Sequence, residues 1–171
     1  MGVRTDVVTW RGEPMILGGN PPAMGAPAPD VILIDNDLAL FALSSLKGKI
    51  CVVSAVPSLD TPTCDMETRR FNSEAASLGD DVVILTVSMD LPYAQKRWCG
   101  AAGVDRVVTL SDHRDGSFGE AYGVMIGERR LLTRAVFVID REGILRYEQI
   151  VPEIAQEPDY DAVIEVVRDL L

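Results

Sequence analysis

No run in the chain approaches the roughly 18 apolar residues of a membrane-spanning helix. Residues 1–16 carry Arg4, Asp6, Arg11 and Glu13, so no continuous apolar region of a secretory signal is visible there. These two absences predict a cytoplasmic protein with no membrane partner. Positive charge is also scarce. Sixteen Lys and Arg against 26 Asp and Glu leave a net charge of −10, which argues against nucleic acid and anionic membrane surfaces as partners. Histidine occurs once, at position 113, and cysteine three times, at 51, 64 and 99. That set shows no ligand spacing, and no metal site is expected. There is no Cys-x-x-Cys pair, which speaks against a general thiol–disulfide oxidoreductase. Structural disulfides are rare in the cytoplasm, where paired cysteines tend to be catalytic or redox-sensing. Internal repeats and low-complexity tracts are absent as well.

What is present reads as one α/β domain spanning 1–171. Val7 to Leu17 alternates weakly around Arg11-Gly12-Glu13-Pro14 and predicts an N-terminal β-hairpin. Gly18 to Pro22 and Ala26 to Pro29 are too rich in Pro and Gly for regular structure. Strands are expected at 31–34, 50–56, 82–88, 107–110, 135–140 and 144–151. Helices are expected at about 64–78, 91–102, 117–124 and 159–170. Strands alternating with helices imply a central, partly parallel sheet, while Asp140-Arg141-Glu142-Gly143 reads as a hairpin turn that makes its late part antiparallel. Tyr160, Val163, Val166, Val167 and Leu170 of the last helix have ordinary core spacing.

The most informative segment is Pro57-Ser58-Leu59-Asp60-Thr61-Pro62-Thr63-Cys64. It follows the apolar run Ile50–Val56, a buried strand by its pattern, and leads into a helix. Backbone N–H groups are unpaired at a helix start and the helix dipole is positive there, and both favour a thiolate. Cys64, Thr68, Phe71, Ala75 and Leu78 fall on one stripe, so Cys64 faces the packed side. A lone cysteine is commonly a buried small hydrophobe; the surrounding motif is what raises Cys64 above that reading.

The spacing Pro-x-x-x-Thr-x-x-Cys resembles the active-site motif of peroxiredoxins. The wider segments "SAVPSLDTPTCDMETRRFN", "VSMDLPYAQKRWCGAAG", "FGEAYGV", "RAVFVID" and "EPDYDAV" extend the resemblance over essentially the whole chain and place it near the thiol peroxidases, the atypical two-cysteine branch. The resemblance implies a thioredoxin-like fold and reduction of hydrogen peroxide or organic hydroperoxides. It makes Cys64 the nucleophile, has Thr61 orient the peroxide and Pro57 shield the pocket, and sets Arg134 against sulfur and peroxide. It implies Cys99 as the resolving thiol, forming an intramolecular disulfide with Cys64. It further implies thioredoxin or a similar dithiol as reductant, no bound cofactor, and a homodimer.

Read without that resemblance, several residues keep other readings. Arg134 could be a surface cation at a strand start, with Arg69, Arg129 and Arg130 as alternatives near the site. Cys99 could be a buried helix thiol. Cys51, inside a strand, is expected to be inert core; His113 a loop residue; Trp10 and Trp98 packing residues. Asp65 sets a carboxylate next to Cys64, which opposes a thiolate unless it turns toward the helix dipole. A peroxide sensor or redox relay using the same cysteine pair stands as an alternative to the enzyme.

Overall fold

The computed structural model describes residues 2–171. Two strands, β1 (Val3–Trp10) and β2 (Glu13–Gly18), form the N-terminal hairpin. Its loop is Arg11-Gly12, both at positive φ (52° and 82°), the conformation whose twist suits a two-residue hairpin. After the Pro- and Gly-rich stretch come β3 (Ile32–Ile34), β4 (Leu40–Ala42) and a 3₁₀ turn at Leu43–Leu46. Then β5 (Ile50–Ala55), α1 (Pro62–Leu78), β6 (Val82–Ser88), α2 (Pro92–Ala102) and β7 (Val107–Ser111) alternate. The chain ends through α3 (Ser117–Ala121), the two-residue strands β8 (Met125–Ile126) and β9 (Leu131–Leu132), β10 (Ala135–Ile139), β11 (Leu145–Ile150) and α4 (Tyr160–Leu170).

The central sheet has seven strands in the order β11-β10-β5-β6-β7-β3-β4. β5, β6 and β7 are parallel, and the outer pairings are antiparallel. The mixed sheet follows from the strand and turn pattern, and its thioredoxin-like form is the one the family resemblance implied. Every residue of β5 is buried because both faces of the sheet are covered. On one face Ile50, Val52, Ile84, Val136 and Val138 meet Phe71, Ala75 and Leu78 of α1 and Val163 and Val167 of α4. On the other, Val53, Leu85, Leu110 and Phe137 pack against Phe118 and Tyr122. Phe71 is fully buried, so truncating it to alanine carries the usual cost of about 3–5 kcal/mol.

Three strands went unread in the sequence: β4, β8 and β9. The last two join the hairpin in a second sheet of order β1-β2-β8-β9; strands of two residues carry no period. The helix expected at 117–124 ends at Ala121, because Gly123 turns at φ 68°.

The hairpin is fastened to the far end of the chain by Glu153. Its carboxylate accepts hydrogen bonds from Thr9 Oγ1 (2.7 Å) and from the backbone N–H groups of Arg11, Gly12 and Ala155. Those bonds, Thr9's first, hold its pKa down to about 2. A carboxylate depressed in the folded state stabilises above its unfolded value and loses that contribution as pH falls toward the folded one. Amide exchange at Arg11 and Gly12 is therefore expected to quicken as pH drops from about 4.5 toward 2, beyond the intrinsic exchange trend. In Glu153→Gln that step should vanish; an unchanged profile in the variant would discard the fastening role.

Candidate active site

The carboxyl ends of parallel strands are where α/β folds place their sites, and there β5 runs into the motif loop. Val56 N–H still bonds Val87 O, and Pro57 is buried beneath the loop. Asp90, just past β6, braces the loop by accepting from Ser58 Oγ (2.7 Å) and Leu59 N–H (2.9 Å). Thr61 is the N-cap of α1. Its hydroxyl donates to Ser58 O (3.1 Å) and accepts from Cys64 N–H (3.4 Å). Pro62 follows at the first helical position, where a missing N–H costs nothing. Cys64 thus sits in the first turn with no solvent exposure.

Its sulfur meets a cation that is equally buried. Arg134 lies just before β10, 1% exposed, and each nitrogen of its guanidinium is held. Nε donates to Ile154 O (2.8 Å), Nη1 to Glu67 Oε2, and Nη2 to Cys64 Sγ at 3.3 Å. Burial opposes its charge, but the carboxylate of Glu67 and the Cys64 sulfur outweigh that, and the guanidinium is held more firmly protonated than usual. Arg69 is instead exposed on α1, and Arg129 lies over the Trp10 ring.

Glu67 is the site residue that sequence reasoning missed. It is fully buried, accepts from Ser54 Oγ (2.6 Å) as well as from Arg134, and is pushed above the usual carboxylate range by burial. The signal was available: position 67 lies one turn after Cys64 on the inward stripe, and a charge there requires a buried partner. Losing either member of such a pair strands the other, which typically costs about 3–5 kcal/mol.

Cys99 lies apart from this cluster. It is half-buried near the end of α2, with Sγ 3.4 Å from Thr109 Oγ1 on β7. The Thr109 hydroxyl donates to Asn36 Oδ1 (3.0 Å), so toward Cys99 it acts as acceptor and the thiol as donor. All three cysteines are free. Cys51 is core, its thiol pushed up to about 11 by burial. A cavity of about 270 Å³ beside Cys51, lined by Pro27, Leu43, Leu46 and Ile139 among others, lies at the opposite end of β5 from Cys64. His113 bonds Ser111 (2.8 Å) and takes no part in the Cys64 cluster. Asp65 turns its carboxylate to Arg69 Nε (2.8 Å) and Trp98 Nε1 (3.0 Å); Trp98 is therefore a hydrogen-bond donor as well as a packing residue. Among the described residues no group of three or more His, Cys, Asp or Glu could hold a metal ion, and no helix is long and apolar enough to cross a membrane.

A buried thiol in the capped first turn of a helix, against a buried arginine on a thioredoxin-like sheet, defines a thiol-redox protein. Residues 23–164 match the redoxin family, and the chain belongs to it. Within that family it stands among the thiol peroxidases. It is 50% identical over 164 residues to the thiol peroxidase of Bacillus subtilis (strain 168), covering 96% of this chain and 98% of that one. The Staphylococcus aureus (strain MRSA252) thiol peroxidase is 48% identical over 163 residues, 95% and 98% of the two chains. Among solved structures, a peroxiredoxin-like protein from Aquifex aeolicus superposes with a TM-score of 0.91 at 40% identity over 100% of both chains. A thiol peroxidase from Chromobacterium violaceum shares the fold at a TM-score of 0.84, 19% identity and 95% coverage of each.

The contact between Arg134 and sulfur yields a prediction. Arg134→Ala removes the charged donor hydrogen-bonded to Cys64 Sγ and should slow oxidation of Cys64 by peroxide about 10²-fold, the scale of losing a transition-state donor. Rapid-quench labelling of remaining thiol measures it. A folded variant reacting at the wild-type rate would return Arg134 to a structural part.

Proposed function

We propose that the protein is a thioredoxin-dependent peroxidase in which Cys64 attacks the peroxide and Cys99 resolves the product. The observation that carries this reading is the 3.3 Å contact of Arg134 with a fully buried Cys64 sulfur in the first turn of α1. The thiolate attacks one peroxide oxygen. An S–O bond forms, the O–O bond breaks, and the leaving alkoxide or hydroxide takes a proton from solvent to become alcohol or water. Cys64 is thereby oxidised by two electrons to the sulfenic acid. Arg134 stabilises charge on sulfur and on the departing oxygen, and Pro57 keeps water from the pocket. Thr61 retains one acceptor lone pair beyond its two present hydrogen bonds, which can take the O–H of a bound peroxide and aim its oxygen at sulfur.

The Cys99 thiol then displaces the sulfenic oxygen as water, giving a Cys64–Cys99 disulfide. A thioredoxin-type dithiol supplies two electrons and two protons to restore both thiols. No bound cofactor is needed, because thiols carry every electron. A homodimer in the cytoplasm completes the reading by likeness to the family; sedimentation checks the first. The deciding experiment supplies hydrogen peroxide, thioredoxin and thioredoxin reductase and follows NADPH. Many turnovers per protein are expected. Consumption that stops at one equivalent, with oxidation passed to another protein, would favour a sensor or relay.

A further inference from the structure

We propose that the contact between Asp65 and Trp98 is a clasp governing how fast Cys64 and Cys99 meet, and so whether oxidised Cys64 is resolved or oxidised further. This rests on the peroxidase reading above. The residue after the attacking cysteine is bonded to the residue before the resolving one: the Trp98 indole N–H donates to Asp65 Oδ1 at 3.0 Å. Arg69, one turn along α1, completes the arrangement. Its Nε donates to Asp65 Oδ2 (2.8 Å), its Nη1 to the carbonyl of Ala102 (3.1 Å), and its guanidinium lies 5.7 Å over the Trp98 ring. The first turns of α1 and the last turn of α2 are thus joined by two hydrogen bonds and a cation–π contact. None of these groups is hydrogen-bonded to either sulfur.

The two sulfurs are held by different segments, Cys64 by Arg134 just before β10 and Cys99 by Thr109 of β7. A disulfide needs Cα atoms about 4.4–6.8 Å apart with sulfurs facing, so each sulfur must leave its present partner, and in this proposal the turns that carry them shift. Those are the turns the clasp joins. α2 ends in a glycine cap. Gly103 closes it at φ 66°, with the N–H groups of Gly103 and Val104 both on Cys99 O. Ala102 O is one of the last carbonyls, without an intrahelical partner, and Arg69 satisfies it. Releasing Trp98 or Arg69 frees this last turn to unwind, while the Cys64–Arg134–Glu67 cluster is untouched. The clasp therefore prolongs the peroxide-reactive arrangement at the expense of resolution speed. Asp65 and Arg69 are partly exposed, 33% and 49%, so the effect is that of a tuned contact, not of a core interaction.

The test compares wild type with Trp98→Phe, which keeps an aromatic ring and loses the donor. Arg69→Met is the second variant, exposed enough to spare the fold. Rapid quench and intact-protein mass spectrometry follow sulfenic acid, disulfide and sulfinic acid. Disulfide formation should accelerate about threefold to tenfold in both variants, the scale of one hydrogen bond at a part-exposed carboxylate. The peroxide concentration that over-oxidises half the protein should rise by the same factor. The rate of sulfenic acid formation should not change, and the melting temperature should fall by no more than about 2–4 °C. A parallel arm forms the same disulfide with diamide, which needs no peroxide chemistry. Acceleration with diamide but no peroxide consumption by wild type would sink the peroxidase reading and leave the clasp standing. Unchanged or slower disulfide formation in folded variants, in both arms, would overturn the clasp.

Discussion

Cys64→Ser is expected to lose peroxide consumption altogether, with thioredoxin and its reductase present and the fold intact. A serine hydroxyl is neutral at working pH, is a far weaker nucleophile, and has no sulfenic acid state. Arg134 cannot compensate, since a cation beside oxygen supplies neither polarisability nor redox chemistry. The fold should tolerate the change: the Cys64 N–H bond to Thr61 and its carbonyl bond to Thr68 Oγ1 (2.8 Å) are backbone contacts. Cys51→Ser is the control. Its thiol faces core at the other end of β5, so the variant should lose stability and keep turnover. Appreciable turnover by Cys64→Ser would move the nucleophile to another residue.

Cys99→Ser should reduce one equivalent of peroxide and then stop. Oxidation of Cys64 uses Arg134, Thr61 and the helix start, none of them bonded to Cys99, so the first step proceeds. The second cannot, because the one other thiol, Cys51, is buried at the far end of β5 and does not reach the sulfenic oxygen. Mass spectrometry should find protein heavier by one oxygen. Excess peroxide should carry it to the irreversible sulfinic and sulfonic acids. Fluorescence of Trp98 should change when wild type forms its disulfide, as its bond to Asp65 is disturbed, and remain unchanged in the variant. Full thioredoxin-dependent turnover by Cys99→Ser would remove Cys99 from the mechanism.

Local order made much of this molecule readable in one dimension. β6 spans 82–88 as its apolar run required, α1 and α4 start within two residues of expectation, and the Arg11-Gly12 loop sits where the hairpin pattern put it. The inward stripe of α1 likewise determined that Cys64 would be buried, because a 3.6-residue period assigns a face without knowing what covers it. What covers it was a tertiary matter. Arg134 stands 70 residues from Cys64, and nothing in the spacing of arginines separates it from Arg69, which is five residues away and points to Asp65 and α2 instead. The same holds for Glu67, whose partner lies 67 residues on, and for Glu153, which fastens Thr9 across 144. Periodicity and capping act between near neighbours and are written in consecutive residues. Which charge meets which depends on how the sheet orders its strands, with β10 beside β5 and β7 two places away, and that order exists only once the chain has folded.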